Sequence, residues 1–200
     1  MVASGSISVI AFSCSEEEKN SSIAPSVEQP RVAPDLSEAI QKRIEKKPAE
    51  AIALLRTYNQ NFPDSPDILI QLSRALVDNK QYSLAAFRFE QAISAGGPVG
   101  LLLECAEAYM LAQDLKSARD KYNMHLKSFP NDSKTWLSLA RTLAEIGENT
   151  EAVNAFEKSG DTPTALDCVS AGNLYLRKNI YVKAQYWFEK SLKKQTDPIE

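Results

Sequence analysis

Cys14, Cys105, Cys168 and His125 are the side chains of this chain with the widest chemical reach. A thiolate can attack a carbonyl or bind a metal, and an imidazole can move a proton near neutral pH. Both uses need company. The three cysteines stand 91 and 63 residues apart and form no CxxC pair, so they make neither a metal-ligand set nor a disulfide framework. His125 is the only histidine, with no second one to share a metal and no neighbouring nucleophile to activate. The glycines of "AGG" at 95–97 end a helical run and do not open a phosphate loop. The residues therefore indicate no enzyme: no catalytic group, no metal, no cofactor and no small-molecule substrate. The chemistry to look for is that of surfaces.

Composition narrows which surfaces. The 200 residues hold 23 Lys and Arg against 26 Asp and Glu, a formal charge of -3, with no basic stripe, which argues against nucleic acid as a partner. With 44% hydrophobic and 24% charged residues, the chain is that of an ordinary globular protein, long enough for one core or one short array of repeats.

The array is visible as self-similarity. The segments "PAEAIALLRTYNQNFP", "QYSLAAFRFEQAISAGG", "DLKSARDKYNMHLKSFP", "ENTEAVNAFEKSG" and "IYVKAQYWFEKSLKK" align on Ala51, Ala85, Ala118, Ala152 and Ala184, at spacings of 34, 33, 34 and 32. A period near 34 predicts stacked helix-turn-helix units. Four residues after each alanine comes Leu55, Phe89, Tyr122, Phe156 or Phe188, on the same helical face. Nine before it comes Leu76, Tyr109, Leu143 or Tyr175, and thirteen before it Leu72, Cys105, Leu139 or Ala171. Cys168 likewise falls on an apolar position, so both later cysteines are expected as buried hydrophobes. Twelve before the alanine stands a small residue, Ser73, Ala106, Ala140 or Gly172, where two helices can cross closely. Pro63, Pro130 and Pro163 close the preceding helices.

This order of large, small, aromatic, alanine, aromatic and proline resembles the tetratricopeptide repeat family over residues from about 35 to 195. The resemblance implies an all-α fold, a right-handed superhelical solenoid of about five repeats at about 35–65, 66–98, 99–132, 133–163 and 164–198. In the first copy Lys42 and Glu38 fall where apolar residues belong, so its first helix is expected to slip onto Ile40 and Ile44, as a degenerate end repeat can. Members of the family usually add a solvating helix after the last repeat; the expectation here is a fragment or a partner covering that end.

Residues 1–34 do not share the repeat. The apolar run 2–13 is shorter than the roughly 20 residues of a membrane-spanning helix and has the length of a signal-peptide core. Ala11, Phe12, Ser13 and Cys14 resemble a bacterial lipobox, although Phe12 is bulky for its place and no Lys or Arg precedes the run. That resemblance implies a signal peptide over 1–13, lipidation of Cys14, and a disordered tether over 14–34 spanning roughly 25 Å. The alternative is a disordered amino terminus with an incidental cysteine.

In the resembled family, ligands usually lie in a concave groove lined by the first helices. Fifteen before each alanine stand Ile70, Leu103, Leu137 and Val169; eleven before, Arg74, Glu107, Arg141 and Asn173; eight before, Val77, Met110, Ala144 and Leu176. Together with Glu104 and Arg177 they form the expected peptide groove, an apolar strip edged by arginines and glutamates that suits an amphipathic or extended apolar segment. The chaperone-binding members' carboxylate-holding set of Lys, Asn and Arg is missing. Simple packing between first helices is the other explanation of the strip. The sequence thus predicts a protein-interaction scaffold, lipid-anchored in a bacterial cell envelope and facing the periplasm or exterior. Alternatives are the regulatory segment of a longer enzyme or sensor, and a cytoplasmic co-chaperone-like module.

Overall fold

The structure, a computed structural model, describes residues 33–196. The candidate signal peptide and Cys14 lie outside the described residues. Those described form ten helices: α1 (Ser37–Ile44), α2 (Pro48–Asn61), α3 (Pro66–Asp78), α4 (Tyr82–Ser94), α5 (Leu101–Leu111), α6 (Leu115–Ser128), α7 (Ser133–Ile146), α8 (Asn149–Lys158), α9 (Ala165–Arg177) and α10 (Tyr181–Thr196). Each packs on its neighbours in the chain, and α1 also on α3, giving five helix-turn-helix pairs in sequence.

Each start and stop has a local cause. Pro48 and Pro66 occupy first-turn positions where no amide hydrogen is needed. The Asp132 carboxylate accepts from the Lys134 and Thr135 amides to cap α7, and Thr164 and Asp167 form a reciprocal capping box on α9. The turn inside every pair is the same. Its closing residue, five before the repeat alanine, is left-handed: Lys46 (φ 59°), Lys80 (60°), Gln113 (63°), Gly147 (92°) and Asn179 (59°). One residue later an amide donates back to the carbonyl nine before the alanine: Lys47 to Lys42 (2.9 Å), Gln81 to Leu76 (2.8 Å), Asp114 to Tyr109 (3.0 Å), Glu148 to Leu143 (2.9 Å) and Ile180 to Tyr175 (3.0 Å). This is a Schellman closure repeated five times.

The five alanines are buried; of the residues four later, Leu55, Phe89, Tyr122 and Phe156 are buried too, while Phe188 in the last pair is half-buried. The core falls into an amino-terminal cluster from Ala39 to Ala108 and a carboxy-terminal one from Ala106 to Trp187, both touched by Tyr109.

The expected slip of the first helix does not occur. Ala39, twelve before Ala51, is fully buried in the small-residue slot, whereas Ile40 is half-buried and Ile44 is 69% exposed. Register is kept because the slot needs only a small side chain. Lys42, in the large-residue place, reaches out to Glu50 at 2.7 Å.

Candidate peptide-binding surface

The first helices of successive pairs place the groove residues in rows. The apolar row divides by burial. Ile70 and Leu137 are 7% and 6% exposed and pack as core, while Leu103 and Val169, at the same place in other copies, are half-buried. Val77 packs on the amino-terminal cluster, and Leu103 and Met110 on the carboxy-terminal one. The Thr142 hydroxyl lies 3.1 Å from the Met110 sulfur. The strip is therefore part packing and part surface.

The charged row is mostly closed on itself. Arg74 donates from Nε and Nη2 to the two carboxylate oxygens of Glu104, both at 2.7 Å, joining α3 to α5. Arg141 makes the same paired contact to Asp167 at 2.7 Å and 2.7 Å, joining α7 to α9. Arg43 ties α1 to α3 through Asp78 (2.7 Å) and Gln71 (3.1 Å). Such planar two-point pairs hold the guanidinium in place. Arg74 and Arg141 of the expected open edge are thus taken up in inter-helix ties, because each finds a carboxylate on the next first helix, while Arg177 makes no such tie among the described residues. Glu107 has no hydrogen-bond or ion-pair partner among the described residues, and desolvation followed by repulsion from Glu104 holds its carboxyl above the usual value. Asn173 and Arg177 are exposed on α9.

A cleft of about 310 Å³ opens beside these groups, with Arg43, Arg74, Val77, Asp78, Glu104, Glu107, Ala108 and Leu111 among its walls. Arg43, Asp78 and Asp167 were not anticipated from the sequence. The signal was present as charge complementarity between one copy and the next, such as Arg74 against Glu104, thirty residues on.

The chemically capable side chains lie elsewhere. Cys105 is buried with Sγ 3.7 Å from the Ala86 carbonyl, and burial pushes its thiol up to about 12, far from a reactive thiolate. Cys168 is buried and shifted the same way, chiefly by desolvation. His125 stacks at 4.8 Å on Phe129, with Nε2 3.1 Å from Asp132 Oδ2 and Nδ1 buried without a partner. Because Asp132 also caps α7, this pair fastens one repeat to the next. No grouping of three His, Cys, Asp or Glu suited to a metal occurs among the described residues, nor is any described helix long and apolar enough to cross a membrane.

Comparison with known proteins agrees with the fold of stacked helix pairs. A family model for the tetratricopeptide repeat matches residues 43–98. No curated protein matches the chain. MamA from Desulfovibrio magneticus is similar in fold, with a TM-score of 0.70 at 16% identity over 84% of this chain and 100% of that one. YrrB, a TPR protein with an unusual peptide-binding site, gives 0.70 at 19% identity over 81% of this chain and 85% of that one. The carboxy-terminal part of a TPR repeat-containing protein from Cytophaga hutchinsonii gives 0.65 at 18% over 81% and 65%.

Proposed function

We propose that the chain is a non-enzymatic scaffold that holds a partner protein through an apolar or amphipathic segment seated on the first-helix face, and that a lipid on Cys14 tethers it to a membrane of the bacterial cell envelope. The observation that supports the first half is the cleft between α3 and α5. It sets the half-buried Val77 and the exposed Leu111 beside fixed charges, a combination suited to a side chain from outside. YrrB, alike in fold, has a peptide-binding site of its own, which is in keeping with this reading. The second half rests on the lipobox-like run ending at Cys14 and on the polar stretch after it. Anchoring then adds about 0.8 kcal/mol for each buried acyl CH₂.

Two measurements test the halves separately. Expression in a bacterium with lipoprotein-processing machinery is expected to yield a mature protein beginning at a lipidated Cys14, read by intact mass, and a product retaining residues 1–13 rejects the tether. Leu103→Asp is expected to lose partner capture and, because Leu103 packs on the carboxy-terminal cluster, to cost some stability, so capture is read at a temperature where circular dichroism shows the variant folded. A folded variant that still captures its partner rejects the groove. Leu137 is unsuited to this test because it is buried, and a charge there unfolds the array.

A further inference from the structure

We infer that the first-helix face selects a partner segment carrying a lysine or arginine, whose cationic end pairs with Glu107 while its methylene stem lies against Val77, Ala108 and Leu111; this rests on the groove reading above.

Register and pairing lead to this. Glu107 stands eleven residues before its repeat alanine, where the neighbouring copies carry Arg74 and Arg141. Both arginines are consumed by two-point pairs with Glu104 and Asp167, and Arg43 is consumed by Asp78 and Gln71. Within the cleft, two cations face three carboxylates, and once the pairs close one negative charge remains, on Glu107. Glu107 is exposed, lines the cleft and has no partner among the described residues, so its charge is open to a counter-ion from outside. A positive group there gains a pairing and offsets the repulsion from Glu104, whereas an acidic group meets that repulsion as well. The walls select further. Apolar surface beside a charged floor matches an amphipathic side chain, which buries its stem and pairs its head. A cleft of about 310 Å³ has the size for one such side chain and its immediate neighbours.

The test uses a displayed random-peptide library selected in parallel on the protein and on its Glu107→Gln, Leu103→Asp and Glu151→Gln variants, each confirmed helical by circular dichroism. Peptides captured by the unaltered protein are expected to share one Lys or Arg flanked by apolar residues. Replacing that residue by Gln in a synthesised, terminally blocked winner is expected to weaken binding about tenfold, the scale of a charge-assisted hydrogen bond. Glu107→Gln is expected to weaken the basic peptide about equally and to leave the Gln peptide unchanged, and Glu151→Gln, on the second helix α8, is expected to alter neither. Capture without enrichment of Lys or Arg, or a basic preference that survives Glu107→Gln, overturns the inference while leaving the groove reading in place. Capture that survives Leu103→Asp, or no capture at all, overturns the groove reading and this inference with it.

Discussion

Gly172 faces Phe188 so closely that a methyl group on its Cα would stand 2.6 Å from Phe188 Cε1 and 2.8 Å from Cζ. In the other pairs the corresponding positions hold Ala39, Ser73, Ala106 or Ala140 and Leu55, Phe89, Tyr122 or Phe156. The last pair has given up the side chain altogether to seat its aromatic ring. Gly172→Ala is expected to lower stability by about 1–2 kcal/mol in chemical denaturation, because the overlap outweighs the roughly 1 kcal/mol that alanine contributes in a helix interior. The loss should shrink or reverse in a Phe188→Leu background, and an equal loss there argues against the ring as its cause.

The left-handed turn residues give a prediction of opposite sign. A non-glycine side chain at positive φ costs about 1 kcal/mol, and Lys46, Lys80 and Gln113 bear that cost. Lys80→Gly or Gln113→Gly is expected to raise the melting temperature, with a gain of up to about 1 kcal/mol. Asn179→Gly should change little, since asparagine tolerates this conformation. Gly147→Ala should lose about 1 kcal/mol. A series in which Lys80→Gly destabilises contradicts the turn geometry.

Ala118 is fully buried where α6 crosses α5. Ala118→Leu is expected to cost about 1–3 kcal/mol and to appear as a clear fall in melting temperature. An unchanged melt is inconsistent with the repeat register.

Asp167 links stability to pH. Burial raises its pKa, but hydrogen bonds from Arg141 and Thr164 outweigh that and leave the carboxyl below its ordinary value. The stabilisation is therefore complete above the unfolded pKa near 4 and is lost as the pH falls through the lower folded value. Asp167→Asn is expected to cost about 1–2 kcal/mol at neutral pH and to flatten the decline in stability below about pH 4. Parallel acid titrations of the two melts check this, and identical slopes exclude Asp167 as a contributor.

Periodic features were the readable ones. Every alanine position, and the small-residue slot in the last four copies, could be placed from the sequence, because packing between helices demands a fixed size at a fixed interval. The small slot at Ala39 was equally periodic, but the charges at Lys42 and Glu38 drew attention away from it. The left-handed turns escaped notice because Lys46, Lys80 and Gln113 are chemically ordinary; the conformation is imposed by the helices on either side, and only Gly147 advertises it. The candidate surface was less legible. Which apolar residues reach the surface depends on what the neighbouring helices cover, which the order of letters does not record, so Leu103 and Leu137 looked alike. The arginines read as open charges because their partners lie a whole copy away.

The ties along the first helices run from α1 to α3, from α3 to α5 and from α7 to α9, but from α5 to α7 the polar link among the described residues is only the Thr142 hydroxyl against the Met110 sulfur. The two apolar clusters also meet near α5. The fastening between the third and fourth repeats passes instead through α6, where Arg119 reaches Glu148 at 2.6 Å and His125 meets Asp132 at 3.1 Å. Mechanically, the array is a strap stitched along one edge except at one joint, where the stitch crosses over.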